Sequence, residues 1–420
     1  MNTKAVRLYG KNDIRLEEFA LPPKKDDEIL ARVVSDSLCM SSYKAVSQGA
    51  DHTRVPDDVA QNPTIIGHEF CGEILEVGEK WKHQFSPGQR FAIQPALNYK
   101  DTLNAPGYSY PYIGGNATHV IIPNEVMEMG CLLPYEGKAF FDGSLAEALS
   151  CVIGTFHAMY HTTPGSYVHQ MGIKEGGSMA ILAGVGPMGL AAIDYIIHCD
   201  RRPKTLLVTD IDDARLTRAE KLLSPEEAAR YGVSLRYVNT GKLQDPASAL
   251  RTLNGGNGFD DVLVFAPVAA LVEQADQMLG TDGCLNFFAG PSDPGFSARL
   301  NFYNVHYAGT HLVGTSGGNT DDLIEALDMI KKGLLTPAIL ITHIGGLDCV
   351  AEATLGLPDI PGGKKLIYNE IEMPLTAIAD FSKLGETDPL FQTLHRLTEK
   401  TNGLWNAEAE RYLLAERGGK

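Results

Sequence analysis

Cys39 stands among serines in SLCMSSYK (37–44), directly after a strand pattern in which Ile29, Ala31 and Val33 alternate with more polar neighbours. His68 and Glu69 follow Gly67 in PTIIGHEFCGEI (63–74). A further acid, Glu147, lies in SLAEALS between Leu145 and Leu149, on a helical pattern heading into a core, where an unpartnered carboxylate is costly. Thiolate, imidazole and carboxylate are the ligand types of Zn²⁺. Each also has an ordinary reading. A lone cysteine in a β domain is most often a small buried hydrophobe, and Glu147 can be a solvated helix residue. Ser41, two positions after Cys39, carries a hydroxyl that both donates and accepts, which suits a proton relay. Its ordinary role is a turn cap at the strand end.

A second chemical signal is AGVGPMG (183–189), with Gly184, Gly186 and Gly189 in the G-x-G-x-x-G arrangement and Pro187 and Met188 between them. A bare match in a chain with 43 glycines is weak, but this one follows a strand pattern, SMAILAG, and opens a helix pattern, PMGLAAIDYIIH. The first glycine would make the tight turn, the second would admit a pyrophosphate, and the third would let helix meet strand. The helix N-terminus supplies N–H groups to the anion. Asp210 ends the next strand, about twenty residues further on, where a carboxylate accepts the ribose hydroxyls of NAD and repels the 2′-phosphate of NADP. NAD(H) is therefore favoured over NADP(H). Arg215 and Arg218 start the following helix and are expected to face solvent.

Lys44 shares a segment with Ser41, and His52 and Arg54 follow in QGADHTRVPDD. The formal net charge of the chain is -16. Such a chain repels nucleic acid and anionic membranes, so any phosphate site must be built locally from cations or N–H groups. Lys44, His52 and Arg54 are the candidates; the alternative for each is a solvated surface position.

The elements that must position these residues fall into two patterns. Residues 1–150 read as short strands (KAVRLYG, EILARVV, EFCGEILEVG, RFAIQP, ATHVIIP) with turns at Gly78, Pro87-Gly88 and Gly114-Gly115, the mark of a small, partly closed β structure. FFDGSLAEALSCVIGTFHAMY then changes to helical period. From about residue 178, apolar strands alternate with helices, which predicts βαβ units and a parallel sheet covered on both faces. The last 50 residues carry two helix patterns, LFQTLHRLTEKTNG and AEAERYLLAERG, with no local clue to where they pack. The chain is long enough for two or three domains. Its N-terminus lacks the apolar core of a signal peptide, and no apolar run is long enough to span a bilayer. Seven scattered cysteines, an odd number, do not form a disulfide framework. A cytoplasmic setting is expected.

Taken in order, LCMSS (38–42), GHEFCGEILEVG (67–78), PGQR (87–90), EALS (147–150), the glycine loop, the Asp210 strand end and THIGGLDCVAEA (342–353) resemble the zinc-dependent medium-chain alcohol and polyol dehydrogenases over roughly residues 4–370. LYGKNDIRLEEF, QGADHTRVPDDVA and the C-terminal extension point within them to the sugar-phosphate branch. The resemblance implies an α/β architecture: a GroES-like, partly closed β-barrel catalytic domain over 1–155, a Rossmann domain over 156–320, a return to the catalytic domain over 321–370 and a helical extension over 371–420. It implies Cys39, His68 and Glu147 as zinc ligands, with Glu69 ligating during exchange or staying beside the metal. Ser41 becomes the relay. Hydride would pass between a nicotinamide and the C2 carbonyl of a phosphorylated ketose, in a homodimer or homotetramer.

This chain departs from the pattern twice. Ser42 stands where relatives carry an aspartate that orients the zinc histidine, and residues 91–115 lack the cysteines of a structural zinc site. One zinc per chain is the expectation. The rivals are a dehydrogenase of an unphosphorylated polyol, such as glucitol or xylitol, or of another hexitol phosphate, and a zinc-free or non-catalytic relative of the fold.

Overall fold

A computed structural model describes residues 1–418. The final two positions of the C-terminal extension expected over 371–420 lie outside the described residues. The α/β class is present, with a GroES-like domain followed by a Rossmann domain, and the described chain divides into two compact units.

The first unit comprises Met1–Ala148, Asn319–Lys332 and the chain from Pro337 onward. Its main sheet is eight-stranded and centres on Ile29–Leu38, which pairs antiparallel with Phe70–Val77, His119–Ile122 and Lys364–Tyr368. Alternation along Ile29–Leu38 puts Ala31 and Val33 into one core with Ile65, Phe70, Ile74 and Val120. Strand Lys364–Tyr368 thus returns from late in the sequence to lie beside the segment that ends at Cys39. A helix, Met40–Gln48, starts immediately after Cys39 and buries Ser42, Ala45 and Val46. Sequence periodicity did not mark this helix, since its one short apolar stripe is shorter than the window periodicity needs.

The C-terminal extension belongs to this unit. Helices Pro389–Glu399 and Ala407–Arg417 place Phe391, Leu394, Ala409 and Leu413 in one core with Leu145, Ile344, Leu366 and Tyr368. Glu410 reaches the start of helix Phe140–Ala158, where its carboxylate accepts the Phe140 N–H at 2.7 Å and the Phe141 N–H at 3.0 Å. Tyr368 Oη donates to Glu410 at 2.8 Å, and the Trp405 indole donates to Tyr368 at 2.7 Å. A carboxylate on otherwise unpaired N-terminal N–H groups caps the helix and suits its dipole. That helix carries Glu147.

The second unit, Leu149–Gly318 with Gly333–Thr336, is built on six parallel strands in the order Ser234–Asn239, Thr205–Asp210, Ser178–Leu182, Phe259–Val264, Leu279–Phe287, His311–Gly314. Numbered within this sheet the order is 3-2-1-4-5-6, the doubly wound dinucleotide-binding order, with its switch point beside the first strand. No described helix is long and apolar enough to cross a membrane.

Candidate metal centre and dinucleotide loop

Cys39 keeps an extended backbone (φ -119°, ψ 144°) at the junction between strand Ile29–Leu38 and helix Met40–Gln48. Gly67 has φ +93°, and a Cβ there would lie 2.8 Å from the Asn116 backbone nitrogen. Only glycine fits this turn, which delivers His68 and Glu69 ahead of strand Phe70–Val77. One donor atom each from Cys39, His68 and Glu69 lies within 4.8 Å of the others. Glu147, inferred as the third ligand by resemblance, is not in that trio. It is buried nearby, and His68, Glu69 and Cys39 all act on its carboxyl.

The electrostatics separate the two acids. Burial pushes the Glu147 carboxyl up to about 7, against the pull of His68. Burial would raise Glu69 too, but the Lys364 ammonium and His68 outweigh it and hold Glu69 below the usual carboxylate range. Lys364 is itself buried and ion-paired to Glu69 Oε1. Glu69 Oε2 is buried with no hydrogen-bond partner among the described residues. Burial lowers His68, favouring the neutral ring, and raises the Cys39 thiol. A neutral imidazole, a carboxylate with an open oxygen and a thiol that would ionise on ligation form a donor set that fits Zn²⁺.

His68 is held at both ring nitrogens. Ser42 Oγ lies 3.1 Å from Nδ1, the position that orients a metal-binding histidine. Tyr108 Oη lies 3.2 Å from Nε2, with the two rings 4.8 Å apart. Ser41 is exposed, with its Oγ 3.6 Å from Cys39 Sγ.

The basic segment meets this site through Tyr108. The Arg54 guanidinium lies 5.3 Å from the centroid of the Tyr108 ring, and the His52 ring stacks on Tyr108 at 5.9 Å. Ser109 Oγ donates to the Arg54 carbonyl at 2.7 Å, tying the 48–60 loop to the 91–115 lobe. Burial lowers the His52 pKa, and the charges of Arg54 and Lys44 lower it further. The three basic candidates are thus neighbours. Lys364 and Tyr108 were not singled out from the sequence. Paired lysines opening the apolar strand KKLIY, and an aromatic lobe without cysteines, were the available signals.

In the second unit, Pro187 is the first residue of helix Pro187–His198, with Met188 beside it and Gly186 at the N-cap. A Cβ at Gly189 would sit 2.2 Å from the Gly184 carbonyl oxygen, so the third glycine lets the helix abut the loop. A Cβ at Gly184 would collide with Ile181 at 2.6 Å. At Gly186 it would meet nothing nearer than Arg215 Nη2 at 3.4 Å. The second glycine therefore meets only the far end of a flexible side chain, which leaves room for a pyrophosphate to approach the backbone. Asp210 is buried at its strand end, and its Oδ1 accepts the Ile211 N–H at 2.8 Å and the Asp212 N–H at 3.2 Å. Arg215 Nη2 lies 3.9 Å from Asp210 Oδ2, with its side chain half exposed. Although partly in solvent, as expected, it is also a neighbour of the candidate ribose site. These residues fit a nicotinamide dinucleotide.

Residues 25–131 match the alcohol dehydrogenase GroES-like domain, and residues 187–332 match zinc-binding dehydrogenase. The chain is 52% identical to the L-sorbose 1-phosphate reductase of Klebsiella pneumoniae over 98% of this chain and 97% of that protein. The chain belongs to the zinc-binding medium-chain dehydrogenase/reductase family. Another member, the mannitol-1-phosphate 5-dehydrogenase of Aliivibrio fischeri, is 50% identical over 98% of this chain and 97% of that protein. The uncharacterized protein YggP of Escherichia coli (strain K12) is 54% identical over 100% and 98%. Among solved structures of this fold, the 2R,3R-butanediol dehydrogenase of Bacillus subtilis superposes with a TM-score of 0.69 at 20% identity, covering 87% of this chain and 99% of that one.

Proposed function

We propose that this protein is a zinc-dependent, NAD(H)-preferring oxidoreductase that reduces the C2 carbonyl of L-sorbose 1-phosphate to give D-glucitol 6-phosphate. When bound, Zn²⁺ supplies Lewis-acid polarisation of the substrate oxygen and the nicotinamide supplies hydride. The ketone gains a hydride at C2 and a proton at its oxygen, and NADH becomes NAD⁺. Cys39 and His68 hold the metal together with an acid. Glu69 stands within the tight donor trio and Glu147 is poised beside it. Ser41, exposed and adjacent to Cys39, relays the proton from solvent. Gly184, Gly186 and Gly189 admit the dinucleotide, and Asp210 accepts the ribose hydroxyls. Lys44, His52 and Arg54 hold the phosphate.

The observation that carries the choice of substrate is the short chain of contacts from His68 through Tyr108 to Arg54 and His52. A 5-dehydrogenase of mannitol 1-phosphate acts four carbons from its phosphate. A reductase of L-sorbose 1-phosphate acts on the adjacent carbon. A cationic patch one aromatic ring from a metal-binding histidine suits the shorter span, and an anchored phosphate then fixes which carbonyl face meets the hydride.

The second reading, favoured by the comparable identity to the mannitol-1-phosphate enzyme, is reduction of D-fructose 6-phosphate. The test is kcat/KM for L-sorbose 1-phosphate, D-fructose 6-phosphate and free L-sorbose in the wild type, Lys44→Ala and Arg54→Ala. A charge-assisted contact contributes about 1.5–3 kcal/mol, so each loss should lower efficiency roughly ten- to a hundredfold on the preferred phosphate ester and little on free sorbose. Preference for fructose 6-phosphate selects the second reading. Equal wild-type efficiency on phosphorylated and free sorbose moves the assignment to an unphosphorylated polyol.

A further inference from the structure

We infer that Tyr108 contacts the substrate, and that its hydroxyl exchanges the imidazole of His68 for a substrate oxygen in the loaded enzyme. The inference rests on the zinc-dependent reading above. Tyr108 is 1% exposed, and its Oη lies 3.2 Å from His68 Nε2, while Ser42 occupies the other ring nitrogen. A neutral imidazole nitrogen has one lone pair. If His68 gives that pair to a metal, it cannot also accept a hydrogen bond from a phenol.

With Ser42 on Nδ1, Nε2 is the nitrogen available to ligate, so the Tyr108 hydroxyl then needs another acceptor. Leaving a buried hydroxyl unpaired is costly. The acceptors whose charge also reaches the hydroxyl, Cys39, Glu147 and Glu69, are the donor groups a bound metal would draw on. The Arg54 guanidinium over its face accepts no hydrogen bond, and the stacked His52 ring already accepts the Arg54 N–H at its Nδ1, 3.2 Å away. An oxygen-rich ligand entering between the metal-binding residues and Arg54 meets this donor first. The substrate class that fits is a polyhydroxylated chain ending in a phosphate, whose oxygens can accept from Tyr108 while Arg54 offsets the charge.

Two readouts of opposite sign separate this role from a structural one. Tyr108→Phe keeps the ring and its stacking but removes the hydroxyl. In the metal-free state it deletes the bond that competes for Nε2, so Zn²⁺ affinity, measured by competition with a chelator, should rise roughly three- to tenfold. Meanwhile kcat/KM should fall roughly tenfold or more, mainly through KM. A loss confined to L-sorbose 1-phosphate assigns the acceptor to a phosphate oxygen. A loss shared with free L-sorbose assigns it to a sugar oxygen. Either result supports the inference.

Unchanged or weakened zinc binding, or unchanged KM, overturns it. If the Phe variant does not melt cooperatively, 4-fluorophenylalanine at position 108, which fills the phenol's space without a donor, serves for the same pair of measurements. Wild-type protein that binds no zinc would instead overturn the metal-dependent reading, so the two failures are distinguishable.

Discussion

The Lys364 ammonium is ion-paired to the Glu69 carboxylate with both side chains buried, although 295 positions separate them in the chain. A pair withdrawn from water this fully is held by mutual compensation, and removing one partner strands a charge. Lys364→Met should therefore destabilise the metal-free protein by about 3–5 kcal/mol. A bound cation would compensate the stranded carboxylate. Adding zinc after chelation should thus raise the melting temperature of Lys364→Met more than that of the wild type. Equal zinc-induced shifts in thermal scans would show that Glu69 does not ligate.

Metal content is the next expectation. One zinc per chain should be found by elemental analysis, because the 91–115 lobe carries no cysteine. Cys39→Ser should abolish turnover and lower the zinc content, while leaving NADH binding measured by fluorescence nearly intact, since the glycine loop belongs to the other unit. Two tightly held zincs, or none in active protein, contradict this.

Cofactor choice turns on Asp210 and Arg215. A 2′-phosphate beside the Asp210 carboxylate juxtaposes like charges, whereas Arg215 Nη2, 3.9 Å away, would attract it. Wild-type kcat/KM should favour NADH. Asp210→Ser should narrow or reverse the preference, and Arg215→Ala should widen it, each by roughly tenfold, or about 1.4 kcal/mol. A wild-type preference for NADPH would mean that Arg215 outweighs Asp210.

A pH dependence should come from the second unit. His161 Nε2 is 3.0 Å from Asp261 Oδ1 and Nδ1 is 3.0 Å from the Asp282 carbonyl, so acceptors face both ring nitrogens and the imidazolium satisfies both. Burial opposes that charge, but the Asp261 hydrogen bond and its attraction outweigh burial and raise the His161 pKa above 6.5. A raised histidine pKa adds stability that is fully present below about pH 6.5 and is lost as pH rises through the folded-state value. The melting temperature should fall across that range. His161→Asn should flatten the dependence and destabilise the protein by about 3–5 kcal/mol, because it strands Asp261. A profile as steep as the wild type's in the variant would assign the titration elsewhere.

The Rossmann unit was legible because its signals are local. Apolar strand runs, the helix after AGVGPMG and the carboxylate at Asp210 all lie within one βαβ stretch, and strand Thr205–Asp210 and helix Pro187–His198 form where periodicity puts them. Cys39, the His68-Glu69 pair and Glu147 offer ligand types, but Cys39 and Glu147 also had ordinary readings, and the ordered motifs of the resemblance, not residue type, singled the set out.

Tertiary structure decided what those types do. Burial raises the Glu147 carboxyl, whereas Glu69 is held low by Lys364, which arrives from a distant strand, and by His68. Tyr108 is one of several aromatics in the 91–115 stretch, and only the fold sets its hydroxyl against His68 and its ring against Arg54. The amphipathic C-terminal helices could be read as helices, but their partner could not: Glu410 caps the helix that carries Glu147 across a separation of 270 residues. Periodicity records which face of an element is buried. It carries no information about which distant element buries it, and the charge state of a buried acid is set by that neighbour.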